Sequence, residues 1–85
     1  MDILLIYKEQ KYIIETKVNR DEDITVVEKE GIDQVFGKYL ASEGVEAGYL
    51  VIFDTQTPVN AACNPQAHEI ENKKITSFII GIGRG

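Results

Sequence analysis

The chain has 85 residues and carries 9 Lys and Arg against 14 Asp and Glu, which gives a formal net charge of −5. Hydrophobic residues make up 44% of it and charged residues 27%, the composition of one small globular domain rather than of a disordered chain. The acidic balance argues against tight non-specific binding to nucleic acid, which depends on Lys and Arg. A domain this short buries only about 60–65% of its unfolded surface, so we expect it to form a homodimer.

The cysteine content and the apolar runs indicate the cellular compartment in which the protein is located. Cys63 is the one cysteine of the chain, which excludes an intramolecular disulfide and favours a reducing compartment. The longest apolar runs, 3–7 and 49–53, are far shorter than the roughly 20 residues that cross a bilayer. We therefore predict a soluble cytoplasmic protein with no membrane partner.

Two N-terminal segments, 2–7 and 11–18, are rich in β-branched and aromatic residues. The polar residues between them predict an antiparallel hairpin with Glu9 and Gln10 at its tip. Both strands have apolar residues at odd and even positions alike, a pattern typical of strands that are covered on both faces.

A helix is predicted next. Thr25 and Glu28 have the spacing of a capping box, so the helix should begin near Thr25, and Gly44 is a plausible stop. The apolar spacing then predicts a stripe that packs on a sheet, formed by Ile32, Val35, Phe36, Tyr39 and Leu40.

The C-terminal half predicts a buried strand at 49–54, a loop at 55–64, a short helix at 66–72 and a last strand at 74–82. The resulting order of hairpin, helix, strand, loop or short helix, and strand belongs to the α/β class with a mixed sheet. No linker or repeat divides the chain, so residues 1–85 are predicted to form a single domain.

The second strand carries the residues of greatest chemical interest. Side chains alternate along a strand, so Glu15 and Lys17 share a face. With the predicted tip, Asp2 lies opposite Lys17 and diagonal to Glu15, within reach of a common cation. Two carboxylates that bind Mg²⁺, together with a lysine, can activate water against a phosphodiester. The alternative is an exposed Glu15–Lys17 pair on a half-solvated strand, with Asp2 a solvated terminal residue.

The stretch from Asp2 to Ile13-Ile14-Glu15-Thr16-Lys17, the helix with Gln34 and Tyr39, and the strand GYLVIFD resemble the PD-(D/E)XK nuclease superfamily. The resemblance is closest to the nuclease-like domain at the C-terminus of certain AAA-type ATPases. It implies a restriction-endonuclease-like mixed sheet, a truncated αβββαβ core without its first helix and strand. The chain is then expected to be a fragment of a larger protein.

The resemblance also implies roles for individual residues. Asp2 and Glu15 would bind Mg²⁺ or Mn²⁺, and the carbonyl of Thr16 would complete the protein ligands. Lys17 would orient the attacking water or stabilise charge on the phosphate, and Gln34 would support the site. The implied activity is Mg²⁺-dependent hydrolysis of nucleic acid, DNA being favoured over RNA, with an AAA-type ATPase domain as partner.

A rival hypothesis from another functional class stays open. The same fold could be a non-catalytic interaction domain that uses an uncovered sheet face or edge to dimerise or to dock an ATPase.

Two other polar residues of the chain are interpreted as structural rather than as members of a site. Asp54, at the end of a buried strand, is interpreted as a turn or cap carboxylate rather than a ligand. His68 is the one histidine and lies in a loop-rich region, so no Ser-His-Asp set is expected.

Overall fold

A computed structural model describes residues 2–7, 10–63 and 65–83, and within 2–7 it describes the side chains of Leu4 and Ile6. The elements follow one another as two strands, a helix and three strands. They are β1 (Asp2–Tyr7), β2 (Gln10–Asn19), α1 (Ile24–Ala41), β3 (Val45–Pro58), β4 (Gln66–Ile70) and β5 (Lys73–Gly83).

All the strands form one five-stranded sheet in the order β1-β2-β3-β5-β4. The two edge strands, β1 and β4, run antiparallel to their neighbours, whereas β2, β3 and β5 are parallel. Because β2 and β3 are adjacent and parallel, the chain needs a crossover between them, and α1 supplies it. The predicted α/β class with a mixed sheet is confirmed.

The N-terminal hairpin forms as predicted, but its register differs from the predicted one. Tyr7 pairs with Gln10, so Asp2 lies directly opposite Glu15 rather than opposite Lys17. The prediction was wrong because it placed Gln10 in the turn instead of in β2. The difference is two residues, and an even shift keeps each residue on its expected face of the sheet.

The helix covers the predicted region but begins differently. Asp23 is the N-cap, and its carboxylate accepts hydrogen bonds from the Thr25 backbone N–H at 2.9 Å and from the Thr25 hydroxyl at 2.7 Å. The capping box on Thr25 and Glu28 was therefore wrong. A carboxylate suits this position because the N-terminus of a helix carries partial positive charge.

The apolar stripe of α1 is also displaced from its predicted position. Ile32, Val35 and Tyr39 are buried as expected, whereas Leu40 is exposed. Val27 belongs to the buried face as well, which turns the centre of that face away from Leu40. The helix ends at Ala41, and Gly44, with φ +72°, forms the turn into β3.

The predicted short helix at 66–72 was wrong, because β4 occupies most of this segment and pairs with β5. Glu71 and Asn72 form the two-residue turn between these strands, and both have positive φ, as a hairpin turn that matches strand twist requires. The predicted loop at 55–64 is shorter than expected, since β3 continues to Pro58.

The core lies between α1 and one face of the sheet. Val27, Ile32, Val35 and Tyr39 of α1 pack on a buried sheet surface formed by Ile13, Leu50, Ile52 and Ile75. Within the described residues of the single chain no second layer covers the opposite face, so the expectation that both faces are covered stays a prediction. No helix in this part of the chain is both long and apolar enough to cross a lipid bilayer.

Candidate functional site

The predicted catalytic carboxylate lies beneath the helix. Glu15 is only 5% exposed, and its Oε2 accepts a hydrogen bond from Lys38 Nζ at 2.9 Å. Strand alternation points Glu15 towards α1, and Lys38 reaches down from the edge of the helix. The charge of this carboxylate is thus balanced by a lysine that sequence reasoning did not select. The position of Lys38 on a helix face and the length of its side chain were the sequence features that could have indicated this contact.

Lys17 lies two residues beyond Glu15 on the same face and is half-buried. It makes no ion pair with Glu15 in the described part of the chain. Instead it lines an open groove of about 480 Å³ with the loop after β2, including Arg20 and Glu22, and with Glu30 of α1. Thr16 contributes to the same groove.

The remaining predicted site residues are less closely grouped. The backbone of Asp2 pairs with Glu15, but its side chain lies outside the described residues. Gln34 is exposed on α1 and makes no hydrogen bond with Glu15 or Lys17 in the described structure. No group of three or more His, Cys, Asp or Glu side chains that could hold a metal ion occurs among the described residues.

A buried polar network joins the carboxyl ends of β2 and β3. The Asp54 carboxylate accepts hydrogen bonds from Asn19 Nδ2 at 3.1 Å, the Gln56 backbone N–H at 3.2 Å and the Thr57 hydroxyl at 2.6 Å. Asn19 also donates from Nδ2 to the backbone carbonyl of Glu22 and accepts from the backbone N–H of Glu22 at Oδ1. Since the described buried side-chain polar atoms all have hydrogen-bond partners, the network holds the loop that leads to α1. Asp54 has a structural role here, but it lies within β3 rather than in a turn or cap, because β3 continues to Pro58.

A second polar cluster connects the helix to β4 and β5. The hydroxyl of buried Ser77 donates to Glu28 Oε2 at 2.7 Å and lies 3.0 Å from His68 Nε2. The sequence did not predict that a serine, a histidine and an acid lie together, because His68 was expected in a loop-rich region, whereas it lies in β4. In a catalytic triad the histidine lies between the other two and takes the serine proton, whereas here the serine lies between the histidine and the acid, and its hydroxyl donates a hydrogen bond to Glu28. The cluster therefore ties α1 to the sheet and supplies no activated nucleophile.

The sheet face turned away from α1 is here named the open face. Its side chains alternate with the buried ones along the three parallel strands. Its central part is formed by Tyr12, Ile14, Thr16 and Val18 of β2, Ala47, Tyr49, Val51 and Phe53 of β3, and Thr76, Phe78 and Ile80 of β5. None of these central side chains is charged, and most are aromatic or β-branched. Lys74, the preceding residue of β5 on this face, borders it together with its partner Glu69 of β4.

Cross-strand contacts organise the open face into rows. Tyr49 lies between Tyr12 and Phe78, with ring centroids 6.4 Å apart in both pairs, a spacing typical of interacting aromatic rings. The register places Val18, Phe53 and Ile80 in one further row. Val18 is 56% exposed and Ile80 36%, so this apolar row is in contact with solvent.

The chain matches no protein-family model, and comparisons with curated proteins and with solved structures return no match. The resemblance to the PD-(D/E)XK superfamily therefore stays a prediction.

Proposed function

We propose that this chain is a non-catalytic protein-interaction domain whose binding surface is the open face. The observation that carries the proposal is the uncharged, largely apolar character of that face across three strands. The charged side chains lie on the helix side of the sheet, as Glu15 and Lys17 do, on α1, in the loops, and at the border of the open face, where Glu69 pairs with Lys74. An extended apolar surface bordered by polar residues is typical of a surface that binds another protein.

The physical driving force is burial of apolar area. Sheets of this kind pack face to face at about 10 Å, with interdigitating side chains. Tyr49 and Phe78 lie at the centre of such a contact, and aromatic residues contribute strongly to the centres of interfaces. We therefore expect a partner that presents an apolar sheet or helix surface.

The test is site-specific photo-crosslinking in cells that express the full chain. A benzophenone amino acid replaces Val18 on the open face or Leu40 on the outer side of α1. The two positions are a matched pair, because Val18 is 56% and Leu40 58% exposed. A protein adduct from position 18 that is absent from position 40 is expected, and equal labelling from both positions, or none from position 18, would refute the proposal.

A second candidate is the Mg²⁺-dependent nuclease implied by the resemblance, with its restriction-endonuclease-like topology. The backbone pairing of Asp2 with Glu15 in the ladder favours it, because both residues are acidic and Mg²⁺ prefers carboxylate oxygen ligands. The Glu15–Lys38 ion pair opposes it, since a metal ion would compete with the ammonium group for the same carboxylate. DNA and an AAA-type ATPase domain stay predicted partners.

Titration calorimetry with Mn²⁺ tests this second candidate. A metal site at Glu15 should bind Mn²⁺ more tightly in Lys38→Met, where the competing cation is gone, and should bind none in Glu15→Gln. Nuclease assays with single- and double-stranded DNA then compare the unmodified chain with Lys17→Ala. Equal background from both chains, together with no Mn²⁺ heat, would exclude the nuclease.

A further inference from the structure

We infer that the partner of the open face is a second copy of this chain, bound sheet to sheet around a two-fold axis. This inference rests on the proposed function and names its partner. It is carried by the amount of surface that the chain exposes and by the charge of that surface.

The isolated chain exposes more surface than a compact monomer of its size. A protein of 9.5 kDa is expected to expose about 5,000 Å², whereas this chain exposes 5768 Å². Its radius of gyration is 13.2 Å against about 12 Å for a compact domain of the same length. The roughly 700 Å² of extra surface is close to the about 800 Å² that each partner buries in a standard stable interface.

The open face supplies part of this area. Its uncharged residues span 12–18, 47–53 and 76–80 of three adjacent strands, which at about 4.8 Å between strands and about 3.3 Å per residue cover roughly 300 Å² in projection. The accessible area of protruding side chains exceeds their projection, so the open face and its border residues together provide the contact surface.

The charge distribution makes the open face the surface through which two copies can best meet. Each chain carries a net charge of −5, and the repulsion between two copies is smallest when they meet through a surface with few charges, which keeps the carboxylates farther apart than a Debye length. The open face is such a surface. A basic partner that recognised the acidic chain would instead bind the outer side of α1 or the loops, where the carboxylates lie.

Two-fold symmetry makes the contact self-complementary, because the same patch faces itself. With the axis near Val51, β3 of one copy crosses β3 of the other at the centre. Tyr49 and Phe78 then pack against the aliphatic side chains of the other copy. The Val18, Phe53 and Ile80 row forms the rim of the interface.

Analytical ultracentrifugation of the purified full chain tests the inference, from about 1 µM to about 1 mM. Ile80→Lys places a charge on the open face, and Leu40→Lys is the matched control on α1. We expect the unmodified chain and Leu40→Lys to sediment at twice the 9.5 kDa chain mass. Ile80→Lys should weaken dimerisation by about 10-fold or more, because each copy would bring a charged side chain against the apolar rim of the interface. Circular dichroism and thermal unfolding verify that both variants are folded.

Three other outcomes overturn the inference. A monomer at every concentration excludes self-association, and a dimer that persists in Ile80→Lys assigns it to another surface. Loss of the dimer in both variants likewise removes the open face as its specific site. The crosslinking experiment separates these failures from failure of the proposed function. An adduct from position 18 to a different protein keeps the interaction domain and rejects only the identity of its partner.

Discussion

Lys38 of α1 donates a hydrogen bond to the buried carboxylate of Glu15 on β2, with 2.9 Å between Nζ and Oε2. This ion pair joins the crossover helix to the sheet at the position where the sequence predicts a metal ligand. Its energetic weight is intermediate, because Glu15 is buried whereas the Lys38 side chain is 38% exposed. Solvent screening makes such a pair weaker than a fully buried one.

Lys38→Met removes the charge and keeps most of the aliphatic stem, which leaves a buried carboxylate without this donor. We expect the free energy of unfolding to fall by about 2 kcal/mol, measured by urea denaturation at neutral pH. Lys29→Met, at an exposed position on the same helix, is the control and should change stability little. The double variant with Glu15→Gln should lose less than the sum of the two single variants, and strict additivity would contradict the coupling.

Two glycines of α1 should respond oppositely to alanine. A Cβ at Gly31 would lie 2.6 Å from a methyl carbon of buried Leu50, whereas a Cβ at Gly37 would meet nothing within 4 Å. Gly37→Ala should therefore raise the free energy of unfolding by about 1 kcal/mol through helix propensity. Gly31→Ala should lower it by about 1–3 kcal/mol because the core is overpacked. Equal effects of the two substitutions in urea denaturation would show that Gly31 is not a close-packing position.

The N-cap should make stability depend on acid pH. Hydrogen bonds from the Thr25 hydroxyl and backbone N–H lower the pKa of Asp23 below its ordinary value of 3.8. Because this pKa is lowered in the folded state, the ionised Asp23 carboxylate stabilises the fold above pH 3.8. This contribution is lost as the pH falls through the pKa of the folded state. Asp23→Ala should therefore lower the thermal midpoint at neutral pH. The difference between the two chains should shrink in acid, and a difference that is constant from pH 7 to acid would contradict this role.

Tyr39 should produce the opposite dependence in alkali. Burial, and then the negative charge of Glu46, raise the pKa of the Tyr39 hydroxyl above 10.0. The protonated Tyr39 hydroxyl therefore makes its full contribution to the free energy of unfolding below pH 10, and this contribution is lost as the pH rises through the raised pKa.

The Tyr39 hydroxyl also donates to the backbone carbonyl of Glu46 at 3.0 Å. Tyr39→Phe removes that hydrogen bond and should reduce the free energy of unfolding at neutral pH by about 1 kcal/mol. Above pH 10 the unmodified chain should lose this advantage. Urea denaturation across the alkaline range measures both effects, and a pH-independent difference would show that the tyrosine ionises equally in both states.

The elements with strong periodicity could be predicted from the sequence. β-branched and aromatic runs identified β1, β2 and the centre of β3, and the helical spacing of apolar residues identified α1. β4 was missed because its sequence QAHEI has few strand-forming residues. The hairpin turn at Glu71 and Asn72 uses positive φ at a glutamate, which sequence preferences rarely indicate. Asn72 was the one available clue.

The candidate sites were predictable only where they depend on strand alternation. Alternation placed Glu15 and Lys17 on one face, and the even shift in register preserved that result. The Lys38 contact and the position of Leu40 depend on how far α1 is rotated on the sheet, which the packing of Val27 and Ile32 determines. The rival hypothesis predicted an uncovered sheet face but not which one, because apolar residues on both sides of a strand do not show which side is covered.

The position of β5 between β3 and β4 has a consequence for synthesis on the ribosome. The hairpin, α1 and β3 emerge first, but the parallel neighbour of β3 emerges last. Until then, the nascent polypeptide exposes the hydrogen-bonding edge of its longest strand, and Leu50 and Ile52 lack their β5 neighbours Ser77 and Ile79. Stable folding must therefore wait until β5 has left the exit tunnel. A polypeptide that is released from the ribosome before Lys73 is added should aggregate or be degraded.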